Sequence, residues 1–471
     1  MKHDLPADSD ELEIIAPNQI HVGLEIGTTK ICVCVAEGKS DGTLTILGVG
    51  EAPSRGVRKG QIVDPVAAAE CIRMAIREAE ASVGIEIKKV SVAITGSDIL
   101  STSSKRSLIV PKKLHEVTMK DIRSELERAM RRKVPADSFV IMANEKDVSQ
   151  LRLREVKDRQ ETSVEIDCHF FIGKHRRIQR ILDCLKSAQL ELLYFVPSVL
   201  ALGDGILAQY ETGIGVVVID LGGGIAEYVV TPGVFPSSVG VIAVGGDHIT
   251  NDISIGLRLP IAKAECLKIQ EGSAKLLDQS VMETIILKSD KGIPEYEIDR
   301  MSLKAIIHLR VRELFEQIRD EIASHGENGT WESRIGNNYK VVLTGGGSKL
   351  MDIASVAEEV FKLPAELGHA RNVIGTNRIN MNPEFTTAIG ITIYAMKHAR
   401  GTSESLDLLK KPVSKSEPKR EFRSNEEYLT ALRKERDPRK NLSRDEGEDL
   451  DVPTFLRKVT NGVEIKYAKK I

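Results

Sequence analysis

The chain has 471 residues, 41% of them apolar, and 66 Lys and Arg against 68 Asp and Glu leave a net charge of −2. That is room for two to three domains with real hydrophobic cores, and so even a balance gives no global field for nucleic acid or an acidic ligand. No run approaches the roughly 20 apolar residues of a spanning helix, and the charged opening MKHDLPADSDELE lacks the apolar centre of a signal peptide, so an intracellular, non-integral protein is expected. The six cysteines, Cys32, Cys34, Cys71, Cys168, Cys184 and Cys266, show neither a CxxC pair nor zinc spacing and read as buried, reduced thiols.

Residues 1–18 are acidic and predict a mobile N-terminal tail. From residue 19, VGLEI and KICVCVAE are β-rich runs hinged on Gly27-Thr28-Thr29, and LTILGVGEA gives a third strand after the Asp41-Gly42 turn. Asp64-Pro65 opens an amphipathic helix with Val66, Ala69, Ile72, Ile76 and Val83 on one face and Gly84 as its stop. KVSVAIT, Lys89 to Thr95, returns as a buried strand, so residues 19–97 form the first part of a mixed α/β lobe. Over 98–177 the character changes. LIVPKK, a T-x-x-D capping signal at Thr118 and Asp121, and strands around FVIMA and SVEIDCHFFIG predict a small inserted α+β subdomain. The basic runs RRK at Arg131 and KHRR at Lys174 to Arg177 have no interleaved aromatics and read as solvated helix faces, with no nucleic-acid partner.

Residues 178–212 return to the first lobe, and 213–398 repeat its outline as a second. GVVVIDLGGGIAEYVVTPG, Gly215 to Gly233, is again strand, glycine turn, strand. VGGDHITNDIS follows, then a helix holding Ala264, Glu265 and Lys268, then a long helix around Leu303 to Ile322 with a stripe at Ile307, Leu314, Ile318 and Ile322. KVVLTGGGSKL gives strand, glycine turn and helix start, and Pro383 to Met396 a last amphipathic helix. Charges of both signs with Pro412, Pro418 and Pro438 make 399–448 a flexible, disordered linker, ahead of a C-terminal segment, 449–471.

One glycine turn is a weak sign of a ligand, but the placement of three carries more. Two strand-turn-strand hairpins facing each other present backbone N–H groups from both sides, which suits a polyphosphate, and Glu25 and Asp220 beside the turns suit a hydrated Mg²⁺. The third turn, Gly345-Gly346-Gly347, allows close approach of a flat purine and opens a helix with Ser348 as the expected N-cap. Together they describe a nucleotide cleft between two lobes.

The ordered set LEIGTTK, VIDLGGGIAE, AVGGDHITNDI, AECLK and VVLTGGGSKL resembles the actin, sugar-kinase and heat-shock-chaperone ATPase superfamily. Within it, GVGEAPSRGVRKGQIVD, the insert and GGDHITNDI resemble the FtsA family of bacterial cell division, over about residues 20–398. The resemblance implies an actin-like two-lobe ATPase fold in which the insert replaces one actin subdomain, with ATP and Mg²⁺ in the cleft. It also implies polymerisation, recruitment of FtsZ to the cytoplasmic face of the inner membrane at the division site, and contacts of other division proteins through the insert. Carried over by position, Gly27, Thr28, Thr29 and Lys30 hold phosphates from one side and Gly222, Gly223 and Gly224 from the other. Glu265 and Lys268 meet the ribose or adenine, Gly345, Gly346 and Gly347 the base, Gly246 is a further nucleotide-binding position, and Arg310 lines the groove for the FtsZ tail.

Three positions depart from the superfamily pattern: Glu25 and Glu227 stand where Asp is usual, and Ile225 where Thr is usual. FVPSVLALG offers no acid or amide where related ATPases orient water, so nucleotide binding is better supported than hydrolysis. The C-terminal segment has two readings. Phe455, Leu456 and Val459 opposite Arg457 and Lys458 make a short amphipathic face for peripheral membrane contact, stopped at Asn461-Gly462. DLDVPTFLRK also resembles the C-terminal docking peptide of FtsZ, with Asp451 as a cap, Pro453 in the first turn, Phe455 and Leu456 as anchors and Arg457 as charge, which predicts a tail that regulates the chain's own groove near Arg310.

Overall fold

The computed structural model describes residues 19–39, 43–96, 99–110, 137–145, 152–155, 162–206, 213–232, 236–276, 283–287, 296–324, 330–331, 335–336, 338–370, 373–375, 382–399 and 451–454. The expected tail 1–18, the capping signal at Thr118, the run at Arg131, residues 400–448 of the linker, and Phe455, Leu456 and Arg457 lie outside the described residues.

The first lobe opens on the hairpin β1 (Gln19–Ile26) and β2 (Lys30–Gly38), continued by β3 (Leu44–Pro53), the short ribbon β4 (Val57–Arg58) and β5 (Gln61–Ile62), helix α1 (Pro65–Val83) and strand β6 (Lys89–Ile94). Asp64 caps α1 by accepting from the Val66 and Ala67 N–H groups, Pro65 fits the first turn, where its missing N–H costs nothing, and Gly84 closes the helix at φ 74. The buried face of α1 runs through Ala69, Ile72 and Ile76 as expected, but Val66, in the first turn, is 71% exposed.

A four-stranded antiparallel sheet follows, β7 (Leu100–Val110), β8 (Ser138–Glu145), β9 (Arg152–Glu155) and β10 (Thr162–Lys174), in which β10 pairs with all three others. β10 runs directly into α2 (His175–Ser187), which packs against α1. That docking corrects the reading of KHRR as a wholly solvated face: Arg177 is buried, and its guanidinium donates to the carbonyls of Gly60 and Thr95. Strand β11 (Glu191–Pro197) then joins β6 in parallel, and helix α3 (Ser198–Ile206) leaves the first lobe.

The second lobe repeats the plan. β12 (Gly215–Leu221), β13 (Ala226–Thr231) and β14 (Ser238–Ile242) form an antiparallel meander, followed by α4 (Gly246–Gly256), α5 (Ile261–Glu271), the ribbon β15 (Thr284–Leu287) and β16 (Tyr296–Asp299), and the long α6 (Arg300–Ser324). β17 (Tyr339–Thr344) lies parallel to β12, followed by α7 (Ile353–Phe361), β18 (Ala365–Leu367), β19 (Val373–Ile374) and α8 (Thr386–Ala399). The sheets run β11-β6-β1-β2-β3-β19 and β14-β13-β12-β17-β18, each an antiparallel hairpin extended by parallel strands. VVVI of β12 is buried on both faces, as a central strand flanked by parallel and antiparallel neighbours requires. The α6 stripe Ile307, Leu314, Ile318 and Ile322 enters the same core as β12 and β17, at about 1.5–3 kcal/mol per side chain removed from water.

Helices α3 and α8 cross where the lobes meet, and α8 continues onto β1. Their contact is backbone to backbone: a Cβ on Gly390 would lie 1.9 Å from the Ala201 carbonyl oxygen, so any larger residue there forces the helices apart. Cys32, Cys34, Cys71 and Cys184 are buried as expected, whereas Cys266 on α5 is exposed, since that helix buries only Ala264 and Leu267.

Candidate functional site

The two hairpin turns meet tip to tip and close in the same way: the Gly27 N–H donates to the Lys30 carbonyl at 3.1 Å, and the Gly222 N–H to the Ile225 carbonyl at 3.0 Å. A Cβ on Gly223 would lie 2.3 Å from Thr29 Cγ2, and one on Gly224 2.6 Å from Thr28 Oγ1. Only glycine allows the turns this approach, and residues about 195 positions apart in the chain are brought together by it. The Thr28 hydroxyl accepts from the Gly60 N–H at 3.1 Å, which ties the β4–β5 ribbon to the same point.

Lys30 turns along the cleft, with Nζ 2.7 Å from Glu384, 3.4 Å from Glu51 and 4.5 Å over the Phe385 ring. Glu384 also holds Lys349 at 2.7 Å, so this acid just ahead of α8 gathers a lysine from each lobe. On the other wall the Gly246 N–H donates to the Gly222 carbonyl at 2.9 Å, and the Asp247 N–H to the Gly223 carbonyl at 2.8 Å. Lys268 reaches the Gly246 carbonyl at 3.1 Å, Thr250 Oγ1 at 2.8 Å and Glu265 at 2.7 Å, so the pair predicted to meet the ribose or adenine is one network with the start of α4.

The third turn divides its labour. Gly345 has φ 78, and a Cβ there would fall 2.0 Å from Asp220 Oδ1, while a Cβ on Gly347 would fall 2.9 Å from Leu221. Gly346 alone has open space, its nearest neighbour Glu384 Cγ at 3.8 Å. Ser348 is not a helix N-cap: Gly345 caps a 3₁₀ turn over Gly346–Lys349, and Ser348 is buried inside it with its hydroxyl donating to the Gly345 carbonyl at 2.7 Å. That bond commits the hydroxyl to the turn's own backbone.

Three acids stand behind the turns. Glu25 Oε2 is buried with no hydrogen-bond partner among the described residues, Asp220 Oδ2 accepts from Thr387 at 2.9 Å, and Glu227 Oε1 accepts from Thr95 at 2.5 Å and from Ser198. Burial first, and then the charge of Asp220, pushes Glu25 up to about 8. Burial raises Asp220 to about 6 against the Thr387 bond, and burial followed by Asp220 raises Glu227 to about 7. The sequence reading missed Glu227 as a partner of the FVPSVLALG segment: Ser198 of that segment meets an acid supplied by the opposite lobe. The available signal was a carboxylate inside the otherwise apolar, wholly buried strand β13.

A second site lies on the outer side of α4 and α6. Arg310, 1% exposed, is held by Asp252 in a fork of 2.7 and 2.8 Å and by Glu313 at 3.0 Å. Residues 451–454 are seated on it. Asp451 Oδ1 lies 2.8 Å from Lys59 Nζ and 3.4 Å from His248 Nε2, the Val452 carbonyl accepts from Arg310 Nη2 at 3.1 Å, and Thr454 Oγ1 donates to Glu313 at 2.7 Å. Pro453 and Thr454 are buried. Lys59, His248, Asp252 and Glu313 were not singled out from the sequence, because the segment that unites them is up to 392 positions away. Among the described residues no helix is long and apolar enough to cross a membrane.

Two lobes of one plan, joined by crossing helices with a glycine turn at the head of each sheet, define an actin-like protein. The fold matches that of the PilM-PilN type IV pilus biogenesis complex with a TM-score of 0.59 at 16% identity, over 81% of this chain and 99% of that one. Residues 217–390 match the family model of the cell division protein FtsA. The cell division protein FtsA of Borreliella burgdorferi is 31% identical over 86% of this chain and 96% of its own length, and that of Pseudomonas aeruginosa 32% identical over 83% and 95%. The chain belongs to the FtsA family of cell-division proteins.

Proposed function

We propose that the chain is a nucleotide-dependent division scaffold that binds ATP with Mg²⁺ between its lobes, assembles into filaments and recruits FtsZ at the cytoplasmic face of the inner membrane. The observation that carries this reading is the meeting of the two matched glycine turns over a buried carboxylate oxygen that has no hydrogen-bond partner among the described residues, Glu25 Oε2. A lone buried carboxylate oxygen is costly unless a cation or proton answers it, and the raised Glu25 and Asp220 show the same need. Glu25 and Asp220 suit Mg²⁺, an ion that keeps its waters and takes one or two carboxylates with nucleotide phosphates.

In this reading the N–H groups of Thr28 to Lys30 and of Gly223 and Gly224 bind phosphate while those of Gly27 and Gly222 close the two turns, Glu25 and Asp220 orient the hydrated metal, Gly246, Glu265 and Lys268 hold the ribose side, and Gly346 lies against the base. Mg²⁺ supplies charge neutralisation for the phosphates. Thr28 and Thr29 pack on Gly223 and Gly224, so a triphosphate enters only when the lobes part about the α3–α8 crossing. Hydrolysis is very slow or absent, since Ile225 offers no hydroxyl and Glu227 commits Oε1 to Thr95 and Ser198. The test is sedimentation of the full chain with and without ATP and Mg²⁺, together with capture of FtsZ. Pelleting that ignores nucleotide, or no retention of FtsZ, overturns the corresponding half.

A further inference from the structure

The docked segment offers four polar features, and each meets its complement. The Asp451 carboxylate meets Lys59 and His248, the Val452 carbonyl meets Arg310, the Thr454 hydroxyl meets Glu313, and the Thr454 backbone N–H bonds Asp252. The receiving groups are not mobile surface charges: with the segment seated, Arg310 and Asp252 are 1% and 0% exposed and hold one another in a planar fork. Thr454 is 1% exposed once seated, and Pro453 beside it is buried with its φ already restricted, which lowers the entropy lost on docking.

The groove also spans both lobes. Lys59 comes from the β4–β5 ribbon of the first lobe, held in the left-handed region at φ 48 ahead of Gly60 at φ 69, while the other contacts lie on α4 and α6 of the second. One short segment therefore touches the ribbon that bonds Thr28 at one cleft wall and the helix that begins at Gly246 on the other.

We propose that this groove is a peptide-recognition site whose resident ligand is the chain's own Asp451–Thr454 segment, so that an external peptide with the same acid-Val-Pro-Thr pattern binds only by displacing it. The inference rests on the recruitment reading solely for the identity of that external partner. A ligand on the same chain competes at an effective concentration in the millimolar range, so a resident segment with an intrinsic Kd of about 10 μM weakens the binding of any external peptide at this groove about 100-fold. Recruitment through this groove is then gated by release of the tail.

The probe is a fluorescein-labelled synthetic peptide of residues 449–458, titrated by anisotropy against the unmodified full chain and against full-length Asp451→Lys/Thr454→Val. Both substitutions lie in the resident segment and leave the groove intact. The double variant is expected to bind the probe at least tenfold more tightly than the unmodified chain. Equal affinity for both proteins, or no saturable binding to either, overturns the proposal. FtsZ capture by the same double variant separates the two readings. Probe binding without FtsZ capture leaves the self-ligand standing and removes the recruitment reading; FtsZ capture without probe binding does the reverse.

Discussion

Replacing Arg310 by Met keeps an unbranched apolar stem and removes the guanidinium that binds Asp252 through two bonds, Glu313 through one and the Val452 carbonyl through a fourth. Asp252 has no exposed surface and is left with the Thr454 backbone N–H alone, provided the tail stays docked. Removing one partner of a buried ion pair costs about 3–5 kcal/mol, most of it the price of the stranded charge. Burial already pushes the Asp252 carboxyl up, and the Arg310 bonds are what hold it down. In Arg310→Met its pKa rises further, so the folded variant keeps a proton that the unfolded chain has released. Its deficit therefore grows as pH rises and shrinks as pH falls toward 5. Trp331, the only tryptophan, packs against Phe361 at 5.5 Å in the second-lobe core, so its fluorescence in urea reports the lobe that carries Arg310. Arg310→Met/Asp252→Leu removes both charges and should recover most of the loss. A loss under about 1 kcal/mol in the single variant, or none recovered in the double, would refute the view that Arg310 serves mainly to neutralise Asp252.

Gly346→Asp should leave stability nearly unchanged, since its Cβ meets nothing closer than 3.8 Å, yet abolish binding of a fluorescent ATP analogue, while Gly345→Ala should lose about 1 kcal/mol for the left-handed φ and about 1–3 more for the overlap with Asp220 in thermal melts. A folded Gly346→Asp chain with unaltered affinity would remove Gly346 from the site. Ile225→Thr with Glu25→Asp should raise phosphate release in a turnover assay, and brisk hydrolysis by the unmodified chain would contradict the assignment of the phosphate turns. Without nucleotide and Mg²⁺, Glu25 holds in the folded state a proton that the unfolded chain releases near its ordinary 4.5, so stability should fall by on the order of several kcal/mol between there and about pH 8. Denaturation midpoints against pH check this, and Glu25→Gln should flatten the slope.

What the sequence determined about this protein is what neighbouring residues decide among themselves. Asp64-Pro65 and Gly84 delimit α1 because capping and the left-handed stop are satisfied within a few positions. The turns at Gly27 and Gly222 are legible because only glycine permits such close backbone approach, and the stripe from Ile307 to Ile322 because helical period places it on one face. The tertiary structure decided everything that depends on which surface arrives opposite. Arg177 carries the same charge as its neighbours in KHRR, yet it alone is drawn inward, since the carbonyls of Gly60 and Thr95 lie beneath α2. Val66 and Cys266 are apolar by type and exposed by position, Val66 in the first turn of α1 and Cys266 on the face of α5 opposite the buried Ala264 and Leu267. Glu227 meets Ser198 only because the fold packs α3 against β13, and the groove of Lys59, His248, Asp252, Arg310 and Glu313 exists only because two lobes place those side chains around one short segment. Capping, turn conformation and periodicity are short-range in the chain. Burial and charge pairing are short-range in space, and only the folded chain relates the two distances.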